Sequence, residues 1–219
     1  MNRPIRSYVL RQGRITPAQQ RALEELLPRY GIAFSDKKIN PAAIFGRSAP
    51  LILEIGSGMG ETTAEIAKMH PEANFIAIEV HGPGVGSLLN RLKDSELSNV
   101  RIIRHDAAEV LEHMIPDGAL AAIHLFFPDP WPKKRHHKRR LVQPEFATLA
   151  ASKLVPGGAL HAATDLPDYA EQIEQVLMKE PLLEAAKSGF ATRPVTKFES
   201  RGRRLGHPVR DLVFRRKAA

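Results

Sequence analysis

Cysteine is absent from the chain, which excludes disulfides, thiolate metal sites and a cysteine nucleophile and agrees with a reducing, cytoplasmic setting. No stretch approaches the roughly 18 consecutive apolar residues of a membrane span, and the basic N-terminus lacks the apolar segment of a secretory signal, so a membrane partner is not expected. Internal repeats and low-complexity linkers are missing too. What remains, at 219 residues, is enough for one self-sufficient core with extensions. A basic arm and short helix are expected over 1–45 and a main domain over 46–219. A monomer is the expected state, with a homodimer as the alternative.

Acidic charge is scarce outside the middle of the chain. Between Leu51 and Pro130 five lysines and arginines face twelve acids, a net of −7; elsewhere twenty-seven face twelve, a net of +15. Within the first 23 residues stand Arg3, Arg6, Arg11, Arg14 and Arg21 without a single acid. Such a periphery attracts a polyphosphate chain. The plainer alternative is a solvated basic surface, although solvating charge is usually mixed in sign.

Thr16-Pro17-Ala18-Gln19 is a capping box with proline at the first helical position, and Leu23, Leu26 and Leu27 follow at helical spacing. From residue 51 short apolar runs alternate with amphipathic stretches. Strands are expected at Leu51–Ile55, Phe75–Ile78, Val100–Ile103, Leu120–Phe127, Ala159–Ala163 and Asp211–Phe214. Helices are expected at Glu61–Met69, Val85–Lys93, Ala107–Met114, Pro144–Leu154 and Asp168–Met178. The alternation predicts an α/β fold, a doubly wound, mostly parallel Rossmann-like sheet with helices on both faces. Ligands of such sheets bind beyond the carboxyl ends of the strands, at the topological switch point.

The first strand runs into Glu54-Ile55-Gly56-Ser57-Gly58-Met59-Gly60. Gly56, Gly58 and Gly60 permit a tight turn and close backbone approach to a ligand, and G-x-G-x-G is one residue tighter than the dinucleotide fingerprint, which favours a cofactor without phosphate. A turn that merely joins strand to helix is the competing explanation. Glu79 closes the second strand, where a carboxylate can accept hydrogen bonds from both ribose hydroxyls. Asp106 follows the third, where it or the adjacent backbone could meet an adenine edge. Each acid alone could be a helix cap; three at the ends of successive strands, beside a glycine-rich turn, are harder to assign so. The set resembles the class I S-adenosylmethionine-dependent methyltransferases, and that likeness implies that Glu54 faces the cationic methionine end of the cofactor.

The fourth strand ends in Phe127-Pro128-Asp129-Pro130-Trp131-Pro132, and Lys133-Lys134-Arg135-His136-His137-Lys138-Arg139-Arg140 follows, six basic residues in eight without an acid. Two prolines fix the backbone around Asp129. His136 and His137, being adjacent, cannot share a helical face and are read as RNA or solvent contacts, so no metal site is expected. A solvated loop is the bland alternative for the run.

Leu53-Glu54-Ile55-Gly56, Ile78-Glu79-Val80-His81, Phe126 through Trp131, the basic run, Thr196-Lys197-Phe198-Glu199 and Arg204-Leu205-Gly206-His207 together resemble the bacterial tRNA (guanine-N7-)-methyltransferases, over nearly the whole chain. Pro132 departs from the pattern, which has a polar residue such as histidine there. The resemblance implies methyl transfer from S-adenosylmethionine to N7 of a guanosine in the variable loop of tRNA. It implies further that Asp129 is the catalytic acid; that Glu54, Glu79, Asp106 and Asp129 line the cofactor site; that Lys133, Asp165, Thr196, Lys197, Phe198 and Glu199 meet the substrate; and that Arg135, His136, His137, Lys138, Arg139 and Arg140 hold the RNA. Asp165 could accept from guanine donors or cap the next helix, and Phe198 could stack on a base or belong to the core. Three other readings share parts of the pattern: a dinucleotide-dependent dehydrogenase, a non-catalytic RNA-binding protein, and a methyltransferase for a different RNA or base.

Overall fold

The computed structural model describes residues 7–8, 13–195, 199 and 208–218. Helix α1 (Pro17–Glu25) opens with the expected reciprocal cap: the Thr16 hydroxyl accepts from the Gln19 amide at 3.2 Å, and the Thr16 amide donates to the Gln19 side chain at 2.9 Å. The short helices α2 (Leu27–Tyr30) and α3 (Pro41–Phe45) follow. The chain then alternates: β1 (Leu51–Ile55), α4 (Glu61–Met69), β2 (Asn74–Ile78), α5 (Gly82–Asp94), β3 (Val100–Ile103), α6 (Ala107–Glu109) running into a π-helical turn over 110–114, and β4 (Leu120–Phe126). After a 3-10 turn (Lys134–Arg139) come α7 (Pro144–Lys153), β5 (Leu154–Thr164), α8 (Pro167–Lys179), β6 (Leu183–Ala185) and β7 (Arg210–Arg216).

The seven strands form one sheet in the order β3-β2-β1-β4-β5-β7-β6. Strands β1 to β5 are parallel, whereas β7 runs antiparallel to β5 and β6 antiparallel to β7. Strands β1 and β2 are buried at every position, as strands covered on both faces must be. One face packs on the π-turn, α7 and α8 through Val110, Phe146 and Tyr169; the other packs on α1, α4 and α5 through Ala22, Ile66 and Leu88. The chain leaves β1 for β2 on one side and returns to β4 on the other, so the crevice of the switch point opens between β1 and β4. Among the described residues no helix is long and apolar enough to cross a membrane.

Three departures from the sequence expectation have physical causes. The stretch expected as one helix over Ala107–Met114 widens after a single turn, because the π-turn puts Val110, Leu111 and Met114 together into the core, each with no exposed surface. Strand β5 begins at Leu154 rather than Ala159, its first residues hidden behind Pro156, Gly157 and Gly158, which read as a turn. Helices α2 and α3 and strand β6 are too short to show a periodicity at all. The segment around Ala22 and Tyr30, assigned with the arm, is built into the core, and α1 lies directly on α5 at Gly86.

Candidate active site

A cavity of about 370 Å³, in the range of small-ligand sites, opens at the carboxyl ends of β1, β2 and β4. Gly56, Glu79, His81, His105, Phe127 and Asp129 are among its walls. Gly56, Gly58 and Gly60 adopt φ values of 74°, 55° and 77°, the left-handed region where a side chain would be strained. The Gly56 amide donates to the Ile78 carbonyl at 2.8 Å, which pins the turn to β2. Gly60 is buried as the N-cap of α4, and a Cβ added there would stand 2.6 Å from the Leu88 side chain; it serves helix packing below the turn.

Glu79 lines the cavity and is already well supplied with donors. Its carboxylate accepts from the amides of Gly58 (2.7 Å), Val80 (2.8 Å) and His81 (2.9 Å). A carboxylate offers about four acceptor positions, so roughly one is left for a ribose hydroxyl rather than the two anticipated. Glu54 lies beneath the wall, buried on the α4 face. Burial pushes its carboxyl up to about 7; the Thr63 hydroxyl pulls the other way and the charge of Glu79 adds to the rise. Its sheet neighbour His124 cannot offset this, since burial pushes that imidazole down to about 3 and leaves it neutral. A buried carboxylate that has no cation beside it among the described residues and sits behind a phosphate-free glycine turn suits a cationic ligand, so the donor set fits S-adenosylmethionine.

Asp106 does not line the cavity: its Oδ1 accepts from the Ala108 amide at 2.8 Å and caps α6. Its neighbours His105 and Ala107 form that wall instead. His105 stacks on Phe34 with ring centroids 3.7 Å apart and pairs with Glu109 at 2.5 Å. Sequence reasoning missed His105, Leu125 and Leu141 as wall residues and quoted His81 only as part of a motif. The i to i+4 spacing of His105 and Glu109 was the one available signal.

The turn after β4 is strained on both sides of Asp129. Phe127 and Trp131, neither of them glycine, have φ of 52° and 43°, conformations that persist only where the surroundings enforce them. The Phe127 amide donates to the Ala163 carbonyl at 2.8 Å, and the Arg193 guanidinium lies 5.2 Å from the Phe127 ring. Trp131 is held by Arg139 over its face at 4.9 Å, by the edge of His136 at 5.7 Å, and by its indole N–H, which donates to the Ser7 carbonyl at 2.9 Å. Ser7 and Tyr8 thereby join the cavity wall. Asp129 itself is exposed, so a water-poor setting for it requires a substrate laid over the turn.

The expected substrate and RNA residues separate into several kinds. Lys133, Arg135 and Lys138 are exposed, and His136, His137 and Arg139 half-buried, all beside the turn. Asp165 stands half-buried at the end of β5 and does not cap α8, whose N-cap Leu166 makes no side-chain cap bond; the Thr164 hydroxyl accepts from the Leu166 amide instead. Two expectations are corrected. Arg140 is 2% exposed and turned inward, so it is not presented to RNA. Glu199 is buried as the counter-ion of Arg193, which also binds Asp211 at 3.1 Å, so its carboxylate faces the protein. Thr196, Lys197 and Phe198 lie outside the described residues, as do Arg3, Arg6, Arg11 and the Arg204 to His207 motif. Among the described residues no group of three or more His, Asp or Glu could hold a metal ion.

A switch-point cavity with a glycine turn, a multiply bonded acid at the end of β2 and an acid on a rigid turn after β4 defines a methyltransferase that uses S-adenosylmethionine. Residues 48–212 match the family model described as putative methyltransferase. Among solved structures the fold is similar to the 16S rRNA methyltransferase KamB (TM-score 0.59, 16% identity, 80% of this chain and 94% of that one). It is also similar to an rRNA methylase from Streptococcus thermophilus (TM-score 0.53, 14% identity, 78% and 88%). At full length the chain is 58% identical to the tRNA (guanine-N(7)-)-methyltransferase of Nitrosospira multiformis, over 99% of this chain and 96% of that protein. It is 57% identical to the enzyme of that name from Nitrosomonas europaea, over 98% of each. The chain belongs to the tRNA (guanine-N(7)-)-methyltransferase family.

Proposed function

We propose that this enzyme methylates N7 of a guanosine in the variable loop of tRNA, with Asp129 as its active-site acid and the Lys133 to Arg139 surface as the RNA grip. The observation that carries this reading is the juxtaposition at one turn: Asp129 lines the cofactor cavity, and four residues later the same segment becomes a cationic surface.

When bound, S-adenosylmethionine supplies an electrophilic methyl group on a cationic sulfur. Guanine N7 carries an in-plane lone pair and no proton, so the chain needs no general base. Its residues act by placement, and well-oriented reactions gain roughly 7 to 11 kcal/mol from placement alone. The strained, proline-bracketed turn fixes Asp129 in the cavity wall, where its carboxylate would stabilise positive charge developing on the purine. Glu79 would hold the cofactor's ribose through its remaining acceptor position. Glu54 supplies the buried negative charge below. Asp165, not used as a helix cap, is available to accept from the guanine N1 and N2 donors.

Asp129→Ala is expected to abolish formation of 7-methylguanosine in a tRNA assay while weakening S-adenosylmethionine binding only a few-fold by calorimetry. Methylation at the parent rate would remove Asp129 from the mechanism, and a product methylated at another atom or in another RNA would replace the substrate reading.

A further inference from the structure

The last arginine of the basic run behaves unlike the rest. The Arg140 side chain, 1% exposed, is enclosed between the active turn and α8. Its Nε donates to the Pro130 carbonyl at 2.9 Å, one Nη to the Gln172 side chain at 2.9 Å, and the other to Asp168 at 2.7 Å. The guanidinium also lies 4.6 Å from the Tyr169 ring centroid. Three of its five N–H donors are committed, in two opposed directions, and the plane is covered by an aromatic face.

Those directions matter because of what they join. The Pro130 carbonyl belongs to the peptide that links Pro130 to Trp131, the residue held at φ 43° directly after the Asp129-Pro130 step. Asp168, Tyr169 and Gln172 form the first two turns of α8, which begins two residues after Asp165. Beside the guanidinium, α8 is also tied to the stretch that follows Arg140, which anchors the arginine's own backbone: Gln172 donates to the Val142 carbonyl at 3.0 Å, and the Val142 amide donates to the Tyr169 hydroxyl at 3.3 Å.

We propose that Arg140 is a positioning residue for methyl transfer, fixing the peptide beside Asp129 against the start of α8 and so setting where Asp129 stands relative to Asp165. The inference rests on the roles given above to those two aspartates. A lysine cannot replace it, since an ammonium is a point charge that cannot span a carbonyl, an amide and a carboxylate in one plane. Misplacement of reacting groups by about 1 Å costs on the order of 100-fold in rate.

The test uses the full chain with Arg140→Lys and, as a milder cut, Asp168→Asn, whose partner stays packed on Tyr169. Single-turnover rate at saturating tRNA, S-adenosylmethionine Kd, tRNA Kd against salt, and melting temperature are measured on each. For Arg140→Lys the expected result is a rate down by about 100-fold, with both Kd values within about 3-fold of the parent and an unchanged salt slope. For Asp168→Asn a loss of about 10-fold is expected, restored by Asp168→Glu. A parent-like rate in both variants overturns the proposal, as does a weakened tRNA Kd with a salt slope reduced by about one, which marks a bound phosphate. Should Arg140→Lys fail to fold, the rate of Asp168→Asn decides alone. Full activity of Asp129→Ala would instead overturn the reading of the turn, whatever Arg140 does.

Discussion

At the scale of single residues the chemistry of the site is set by how carboxylates are surrounded. Glu79 meets three backbone donors and is held in place before any ligand arrives, whereas Glu54 is buried behind the turn. An acid whose folded pKa stands above its unfolded value binds more protons folded than unfolded. With values of about 7 and 4.5, the Glu54 contribution is intact below about pH 4.5 and is lost as pH rises toward 7. Above that, keeping it ionised costs on the order of 3 kcal/mol in the cofactor-free protein. Glu54→Gln is therefore expected to melt higher than the parent near pH 8, to show a flatter stability profile from about pH 4.5 to 7, and to bind S-adenosylmethionine more weakly. Calorimetry across that range checks it; a variant less stable than the parent near pH 8 contradicts the assignment. Glu54, Glu79 and Asp129 were all legible in the sequence as acids at strand ends. Their surroundings were legible only in part: capping was an open alternative for Asp106, whereas the Gly58 amide that reaches Glu79 from 21 residues away is brought there by the sheet.

At the scale of elements, close approach decides. A Cβ added to Gly86 would stand 2.7 Å from the Gln19 carbonyl oxygen and 2.8 Å from its Cβ, because α1 lies straight across α5. In an isolated helix, glycine to alanine is favourable by up to about 1 kcal/mol. Here the clash with fixed backbone outweighs it, and Gly86→Ala is expected to destabilise by roughly 1 to 3 kcal/mol in urea unfolding. A gain in stability would show that α1 is free to move away. Periodicity alone found α4 without error and α5, α7 and α8 to within three residues at each end. It missed the π-turn and the early start of β5, since both depend on what the neighbouring strand and helices present rather than on local pattern.

At the scale of the whole molecule, the acidic middle of the chain supplies most of the wall of the cofactor cavity, and among the described residues the cations of the Lys133 to Arg139 run stand beside it. With Arg140 engaged internally, the cations of the run that can meet RNA are those up to Arg139. Replacing Arg135, Lys138 and Arg139 together by alanine should weaken tRNA binding and shallow the dependence of log Kd on log salt, by about 0.7 to 0.9 for each phosphate that is no longer neutralised. A slope equal to that of the parent would place the RNA elsewhere.

The order of apolar runs and glycines determined strands β1 to β4, the turns at their carboxyl ends and hence the position of the site, because each of these follows from residues within a few positions of one another. Which side chains face that site was decided only in three dimensions. Arg140 and Asp168 are 28 residues apart, and Glu199 meets Arg193 beside β7, which reaches the site by pairing with β5. A cation in a basic run and an acid in a conspicuous motif look alike in sequence whether they meet solvent or a buried partner, since burial is a property of the packed elements and not of the residue.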